Sequence, residues 1–295
     1  IVGQEKNPDT RRLAKMNLAI RGIAYDLGEK AVGESSTFTD DQHLNRKVDY
    51  IMANPPFNLK DWRGDNELLT DPRWHGYETP PKSNANYAWI LNIVSKLSED
   101  GVAGFLLANG ALSGGGDEYK IRKQLIDNDM VEAIAILPQN MFYTTNISVT
   151  LWILNKNKRK RTVELPDTTR HYRNREDEIL FLDLRQIGVP FEKKFIQFSD
   201  ENIEEISNTY HNFQTEGDNY KDVPEFCYAA TKEEVAKKDY SLVPSKYIEF
   251  VNRDENIDFD TRMKSLQTEF RELLQQEEQS KADLLNVFKE LGYEL

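Results

Sequence analysis

The tetrapeptide Asn54-Pro55-Pro56-Phe57 directly follows Val48–Ala53, an apolar run typical of a buried strand. The prolines stiffen the backbone, and a residue that precedes a proline is kept extended, so Asn54 projects in a fixed direction. The Asn54 side-chain oxygen and the Pro55 carbonyl are neighbouring hydrogen-bond acceptors, which match the two hydrogens of an exocyclic amine. Phe57 adds a flat face on which a base taken out of a duplex can stack.

Two interpretations of this tetrapeptide remain open from its residues alone. Pro-Pro turns also serve simply to end a strand. A random chain of this length would contain the tetrapeptide with a chance on the order of 0.1%, taking average residue frequencies. Its position beyond a strand favours a functional role, because open α/β sheets bind ligands beyond the carboxyl ends of their strands.

The first half of the chain alternates short apolar runs with helical patterns, which indicates an α/β fold. The predicted strands are the end of a strand at Ile1–Glu5, then Val48–Ala53, Val102–Ala108, Val131–Leu137 and Ile147–Leu154, and the predicted helices are Thr10–Gly22, Tyr87–Leu97 and Tyr119–Ile126. The short link between the last two strands predicts an antiparallel pair at the edge of the sheet.

The second half shows weaker patterns. We predict a strand at Ile179–Leu184, an otherwise irregular acidic stretch to about Val251, and one long helix over Phe259–Leu291. That helix has a heptad pattern of apolar residues, broken at Glu277 and Ser280, which is typical of a coiled-coil or bundle seam. The apolar heptad positions are Met263, Leu266, Phe270, Leu273, Leu284, Val287 and Leu291. We therefore divide the chain into a first α/β part (1–160), an α/β extension (161–252) and a long C-terminal helix (253–295); the resemblance described below implies catalysis for the first part and subunit docking for the last.

Composition excludes several classes of protein. The 295 residues carry 38 basic and 50 acidic side chains, a net charge of −12, whereas a protein that grips DNA alone usually has a basic footprint. The single cysteine, Cys227, rules out an intramolecular disulfide and suits the cytoplasm, and the four histidines lie far apart, so no metal site is predicted. No apolar run is long enough to span a membrane.

Two segments could contact nucleic acid. Residues 58–83 form a long predicted loop that contains Trp62, Arg63, Arg73 and Trp74, and it either orders over DNA or an extruded base or is an ordinary surface loop. The basic run Lys156–Arg161 could contact phosphates, although a solvated charged run at a strand end is the favoured interpretation.

The tetrapeptide resembles the motif of S-adenosylmethionine-dependent adenine-N6 DNA methyltransferases, and the chain resembles the modification subunit of type I restriction-modification systems. The resemblance covers nearly the whole chain in matching order. Its matching segments are Gly3-Gln4-Glu5 with Thr10 and Met16-Asn17-Leu18, Asp41-Gln42-His43, Val48-Asp49-Tyr50, Asn54–Phe57, Asn84–Trp89, Leu107–Gly110, Ile121-Arg122-Lys123, Leu137-Pro138, Met141-Phe142-Tyr143, Leu151-Trp152 and Pro244–Tyr247.

The resemblance implies a Rossmann-like methyltransferase sheet followed by a C-terminal helical extension, and it implies roles for individual residues. Asn54 and the Pro55 carbonyl would bind the target amine, on a backbone held by Pro56, while Phe57 stacks on the flipped adenine. Glu5 would accept hydrogen bonds from the ribose of S-adenosyl-L-methionine, the implied cofactor. Methyl transfer would be a direct in-line displacement. Phe142 or Tyr143 could hold the extruded base, and ordinary packing is an equal alternative.

The chain departs from the family pattern at two places. Ser36 occupies the position where an acid or amide often contacts the cofactor's adenine. The glycine-rich Asp-Pro-Xaa-Xaa-Gly-Xaa-Gly loop is absent, and Ser113–Gly116 does not replace it because it follows a different strand. The family order places that loop upstream of Ile1. We therefore expect the chain to be the C-terminal part of a longer protein, with its sheet incomplete at the N-terminal side.

The resemblance also implies partners. They are DNA and a specificity subunit with two modification subunits bound to it, with or without a restriction subunit, whereas no membrane is expected. The C-terminal heptads would dock on the specificity subunit or form an intramolecular seam. A non-catalytic scaffold that links subunits is the alternative function, favoured by the missing glycine-rich loop. A methyltransferase acting on RNA or protein is a further alternative.

Overall fold

The computed structural model describes residues 1–28, 36–143, 146–166, 168–217, 219–251 and 259–290, and the chain divides into two compact units, Ile1–Glu249 and Phe250–Leu295. The described helices are α1 (Pro8–Ile20), α2 (Asn86–Lys96), α3 (Gly116–Asp127), α4 (Asp200–Gln214), α5 (Lys232–Lys237) and α6 (Phe259–Glu290). The described strands are β1 (Val48–Ala53), β2 (Leu97–Ala108), β3 (Val131–Ile136), β4 (Val149–Asn155), β5 (Arg161–Leu165), β6 (Thr168–Tyr172), β7 (Glu178–Asp183), β8 (Val189–Phe191), β9 (Phe195–Gln197) and β10 (Cys227–Thr231).

Six of the described strands form one mixed sheet in the order β1-β2-β4-β3-β7-β10. β1 runs parallel to β2, and β3 runs parallel to β7. β4 is antiparallel to both of its neighbours, and β10 is antiparallel to β7. The strands β5 and β6 form one separate hairpin, and β8 and β9 form another. The mixed sheet and its helices confirm the predicted α/β class.

Helices cover this sheet on both faces. On one face, Tyr87 and Leu91 of α2 pack with Phe105 and Trp152, whose rings stack with their centroids 6.1 Å apart. On the opposite face, Phe213 of α4 packs against alternate residues of β3 and β7. Because both faces are covered, all six residues of β3 are buried, and this explains why the strand is an almost continuous apolar run in the sequence.

Two predictions about strands are wrong. The antiparallel pair formed by β3 and β4 is present, but it lies inside the sheet, because β7 and β10 extend the sheet beyond β3 while β2 flanks β4. Ile1–Glu5 does not end a strand in the described structure. Val2 forms only an isolated bridge to Asp26. Two backbone hydrogen bonds make this bridge, from Gly3 N–H to the Asp26 carbonyl and from Asp26 N–H to the Ile1 carbonyl, and such a pairing is too short to form a strand.

The prediction that residues 185–251 are irregular is also wrong. Ser199 and Asn202 form a reciprocal capping box at the start of α4, and Thr231 and Glu234 form another at the start of α5. β7 and β10 both come after residue 160, and they join the same sheet as β1 to β4. The domain boundary at residue 160 stays a prediction.

The C-terminal unit contains α6, which spans 32 residues and matches the predicted helix closely. Its apolar heptad side chains are exposed, and they are Met263, Leu266, Phe270, Leu273, Leu284 and Val287. Leu291 lies outside the described residues. In the part of the chain that the structure describes, no helix has the length and apolar character needed to cross a membrane.

Candidate active site

The tetrapeptide forms an exposed turn at the carboxyl end of β1. Asn54 and Pro56 are exposed, and Pro55 and Phe57 are half-buried. β1 is the first strand in the order of the sheet, and its Met52 side chain is 93% exposed. The rigid turn therefore lies beyond the carboxyl end of an edge strand, where the Asn54 amide is accessible to a ligand.

One cavity brings the N-terminal segment and the tetrapeptide together. It has a volume of about 390 Å³ and is lined by Glu5, Asn54 and Pro55 among others. Ligand cavities typically have volumes of roughly 300–1,000 Å³. Glu5 and Asn54, which are far apart in the sequence, thus face the same space, whereas Pro56 and Phe57 do not line it.

Hydrogen bonds fix the N-terminal wall of this cavity. Glu5 Oε1 accepts a hydrogen bond of 2.7 Å from the backbone N–H of Asn7, the residue that caps α1. Gln4 donates to the Asp40 carbonyl over 2.8 Å and accepts from the Gln42 backbone N–H over 3.2 Å. These hydrogen bonds hold the segment that carries the Glu5 carboxylate, although this segment does not belong to a strand.

Half-buried polar side chains form a further part of the wall. Lys96 of α2 donates to Asp41 Oδ2 over 2.5 Å and to the His43 carbonyl over 2.7 Å. The His43 ring lies 2.9 Å from the Gly3 carbonyl through Nε2. Asp41, His43 and Lys96 all line the cavity, so these contacts join α2 to the segment that carries Glu5.

The predicted loop at residues 58–83 is anchored to the protein by a few buried side chains, although about half of its residues are exposed. Trp62 and Trp74 are buried, and the Trp62 ring packs against Phe38 with centroids 4.6 Å apart. The Arg73 side chain is only 4% exposed and donates hydrogen bonds to the Thr37 and Phe38 carbonyls. These three side chains therefore hold the cavity wall in place. Of the four candidates for a nucleic-acid contact, Arg63 is half-buried and the other three are buried.

Phe57 packs among apolar side chains on the second face of the sheet. Its neighbours in that cluster include Met141 and Phe142, which follow β3. Tyr143, in contrast, is 70% exposed, and its ring contacts Phe195 of the β8–β9 hairpin with centroids 4.6 Å apart. The structure thus places Phe142 in packing against the same apolar cluster as Phe57 and leaves Tyr143 at the surface.

The basic run Lys156–Arg161 is mixed in character, because Lys158 is buried whereas Arg159 and Lys160 are exposed. Lys158 is buried, lies 2.5 Å from Asp129 and donates to the carbonyls of Val131 and Glu178. Arg159 pairs with Glu176 over 2.8 Å, and Lys160 pairs with Glu216 over 2.6 Å. Both earlier interpretations are therefore wrong for Lys158, because tertiary contacts place acids and carbonyls around it.

A larger cavity, of about 620 Å³, lies at the opposite end of the strands. Its lining includes Asp100 at the start of β2, Lys156 after β4 and Asp177 before β7, whereas Asn54 follows the end of β1. Because β1 and β2 are parallel, this cavity cannot share a ligand with Asn54. Many of its charged side chains pair with one another, as Lys158 does with Asp129.

The thiol of Cys227 is buried in β10, and burial raises its pKa. A buried thiol with a raised pKa is a poor nucleophile, which argues against chemistry through a cysteine adduct.

Comparison with known proteins defines the family. A model of the family described as N-6 DNA Methylase matches residues 1–256. The chain belongs to the N-6 DNA methylase family. The recognition made from the tetrapeptide and its neighbouring segments is therefore confirmed.

Curated relatives of this family cover the whole chain. The HindI type I restriction enzyme methylase subunit of Haemophilus influenzae is 39% identical over 100% of the chain, which covers 62% of that protein. The MjaIX methylase subunit of Methanocaldococcus jannaschii is 32% identical over 99% of the chain, which covers 50% of that protein. The chain thus spans between half and two thirds of the length of these relatives.

Solved structures of the N-6 DNA methylase family share the fold. The methyltransferase subunit of a type I restriction-modification system from Streptococcus thermophilus has a TM-score of 0.70 at 27% identity, over 84% of this chain and 48% of its own. The EcoKI M protein has a TM-score of 0.59 at 21% identity, over 100% of this chain and 60% of its own. The predicted methyltransferase fold is confirmed.

Sequence analysis missed several residues that shape the site. Arg73 was considered only as a contact for nucleic acid. Asn58 and Asn86 bond to each other, but Asn86 was noted only as part of the matching segment Asn84–Trp89 and neither residue was given a role. Asn58 directly follows the tetrapeptide, so its position was the one available signal. Ser36 lies in a turn, where its hydroxyl accepts a hydrogen bond from the Phe38 backbone N–H over 3.2 Å.

Proposed function

We propose that the chain is the catalytic part of the modification subunit of a type I restriction-modification system, and that it transfers a methyl group from S-adenosylmethionine to N6 of adenine in DNA. The single observation that carries this proposal is the cavity at the carboxyl end of β1, which is lined by Glu5, Asn54 and Pro55 together. Membership of the N-6 DNA methylase family supports it.

The exposed turn is suited to hold an amine. Asn54 Oδ1 and the Pro55 carbonyl each accept one hydrogen of the adenine amino group, and Pro56 keeps the turn from relaxing. Holding the amine through both hydrogens draws it towards tetrahedral geometry and exposes the nitrogen lone pair. Catalysis then derives from position and fixed dipoles, with no covalent intermediate on the protein.

The residues around the cavity fit the cofactor. The Glu5 carboxylate, fixed by the Asn7 backbone N–H, is the acceptor that ribose hydroxyls require. When bound, S-adenosylmethionine supplies a methyl group activated by a positively charged sulfur. The Ser36 hydroxyl is an acceptor within its own turn, and we assign it no contact with the cofactor.

Assembly with other subunits follows from the same proposal. The curated relatives are named as subunits of type I restriction enzymes. In this chain the apolar heptad side chains of α6 are exposed, and such a seam can dock on a helix of a partner. We propose a specificity subunit as that partner, with two modification subunits bound to it and a restriction subunit joining the complex. We also propose that the assembled complex provides most of the DNA binding, because the chain itself is acidic.

The test is methyl incorporation by the natural full-length subunit in its assembled complex. Labelled S-adenosylmethionine is offered with duplex DNA, RNA or protein, and the Asn54→Ala variant is the matched control. We expect label in DNA at adenine N6 with the natural protein and none with Asn54→Ala. Label in RNA or protein instead of DNA, or full activity of Asn54→Ala, would contradict the proposal.

The alternative function is a scaffold that links subunits without catalysis. It predicts that the complex assembles and that neither the natural protein nor Asn54→Ala incorporates label. Binding of S-adenosylmethionine, measured by equilibrium dialysis, separates the two, because a scaffold needs no cofactor while the enzyme loses its affinity when Glu5→Ala removes the ribose acceptor.

A further inference from the structure

Asn58, the residue that follows the tetrapeptide, has an unusual backbone conformation. Its φ angle is 53°, in the left-handed region that asparagine tolerates better than most residues with a side chain. This conformation turns the chain away from Phe57 towards the start of α2. The backbone N–H and the side chain of Asn58 then both meet the same helix end.

A reciprocal pair of hydrogen bonds joins Asn58 to Asn86, the first residue of α2. The Asn58 backbone N–H donates to Asn86 Oδ1 over 3.0 Å, and Asn86 Nδ2 donates to Asn58 Oδ1 over 2.9 Å. Asn86 is only 1% exposed. Two neighbouring contacts reinforce the pair, since Asn84 Nδ2 donates to Asn58 Oδ1 over 3.3 Å and the Ala85 N–H donates to the Leu59 carbonyl over 2.9 Å.

This pair fixes the one end of the turn that the sheet does not hold. Pairing of β1 with β2 holds the chain up to Ala53. Pro55 and Pro56 have no N–H, so they cannot anchor the turn by donating from their own backbone. Asn58 therefore anchors the chain just beyond the turn through both its N–H and its Oδ1, and α2, which is packed against the sheet, provides the rigid partner.

We propose that Asn58 and Asn86 are positioning residues that hold Asn54 Oδ1 and the Pro55 carbonyl where they accept the adenine amine. This inference rests on the proposed function. Neither residue contacts the substrate, and both act through the backbone of the turn. A displacement of about 1 Å in such a site can lower a rate on the order of 10²-fold.

The experiment compares variants of the natural full-length subunit in its assembled complex. Asn58→Gly keeps the left-handed backbone and removes the side-chain acceptor, and Asn58→Asp keeps an acceptor for Asn86 Nδ2. Asn86→Asp removes the same hydrogen bond from the other side, because aspartate has no Nδ2 donor for Asn58 Oδ1 but keeps an acceptor for the Asn58 N–H. Asn140→Gly is the matched control, because Asn140 also has a positive φ, of 60°, but lies in the connection after β3.

We expect Asn58→Gly and Asn86→Asp to lower kcat by about 10- to 100-fold, while the Kd for S-adenosylmethionine stays within about twofold. Asn58→Asp and Asn140→Gly should keep kcat within about threefold of the natural protein. A second readout, which needs no turnover, is the Kd for two duplexes that differ only at the target position. One carries adenine there, and the other carries purine, which lacks the amino group. The preference for adenine over purine, relative to the natural protein, should fall about tenfold in Asn58→Gly.

The outcomes separate this inference from the proposed function. If the natural protein incorporates no methyl group into DNA, the proposed function fails. If it does, and Asn54→Ala does not, but Asn58→Gly keeps the natural kcat and the natural preference for adenine, the positioning role is overturned. It is also overturned if kcat, cofactor affinity and Tm fall together in Asn58→Gly and Asn86→Asp, because the pair then only stabilises the fold.

Discussion

Replacing Arg73 with methionine tests whether a buried cation holds the wall of the cavity that is proposed to bind the cofactor. The Arg73 guanidinium donates five hydrogen bonds. Two go to the Asp71 carboxylate, at 2.7 and 2.8 Å, and the others go to the carbonyls of Thr37 and Phe38 and to Asn92 Oδ1. Methionine fills much of the same volume but supplies none of these donors.

The magnitude follows from burial on both sides of the pair. The side chains of Arg73 and Asp71 are 4% and 10% exposed, so the variant leaves a carboxylate and two carbonyls buried without their donor. Removing one partner of a buried pair costs about 3–5 kcal/mol. For a unit of this size we expect Tm to fall by roughly 6–20 °C. Because Thr37 and Asp41 line the cavity, affinity for S-adenosylmethionine should also fall.

The matched control is Arg63→Met, in the same loop. Arg63 is half-buried and donates to backbone carbonyls of Gly64, Asp65, Glu67 and Pro80, so its loss leaves no buried carboxylate. We expect a fall in Tm of a few degrees at most and unchanged cofactor affinity. Thermal unfolding and equilibrium dialysis measure the two effects. Equal effects of the two substitutions would refute the argument from burial.

The pH dependence of the Arg73→Met effect provides an internal check. Burial by itself raises the pKa of Asp71, but the hydrogen bonds from Arg73 outweigh it and hold the pKa below its usual value of 3.8. A carboxyl with a lowered pKa stabilises the folded state above its unfolded pKa, and this contribution is lost as the pH falls through the folded value. In Arg73→Met the burial remains without its cation, so the pKa of Asp71 should be raised instead, and the difference in stability between the two proteins should shrink as the pH falls, beginning above about pH 4.

Three further predictions concern catalysis, the core and pH. Asn54→Ala should lower kcat by at least about 10²-fold in the methylation assay with Tm unchanged, because the side chain is exposed and accepts from the substrate alone; a kcat within threefold would contradict its role. Arg175→Met should lower the free energy of unfolding by about 3–5 kcal/mol in urea titrations, because Glu132, 2.8 Å away and fully buried, loses its cation; a change below 1 kcal/mol would show that neutral donors suffice. Burial, and then the nearby Arg170, lowers the pKa of His211 below 6.5, so the unfolded chain binds the proton first and stability should fall as the pH drops below 6.5. His211→Gln should reduce this slope between pH 5 and 7, and an unchanged slope would assign it to other groups.

Much of the local structure could be predicted from the sequence because it depends on nearby residues. The apolar runs of β1 to β4 and β7 mark strands, and the heptads of Phe259–Glu290 mark α6 to within one residue. The tetrapeptide at residues 54–57 indicated an amine-binding turn from the fixed φ of its prolines and the acceptors beside them. The sequence did not predict α4, because its buried residues, Phe213 and Gln214, lie at its C-terminal end and most of its other residues are polar.

The sequence alone determined the family, five of the six strands of the main sheet and the turn that is proposed to bind the amine. Only the tertiary structure decided which distant polar residues support that turn. Glu5 and Asn54 share a cavity, Asn58 bonds to Asn86, and Arg73 is buried in a segment whose composition is that of a surface loop. The physical reason is that a buried polar group is stable only with a partner, and that partner is fixed by packing between segments far apart in the chain rather than by local pattern.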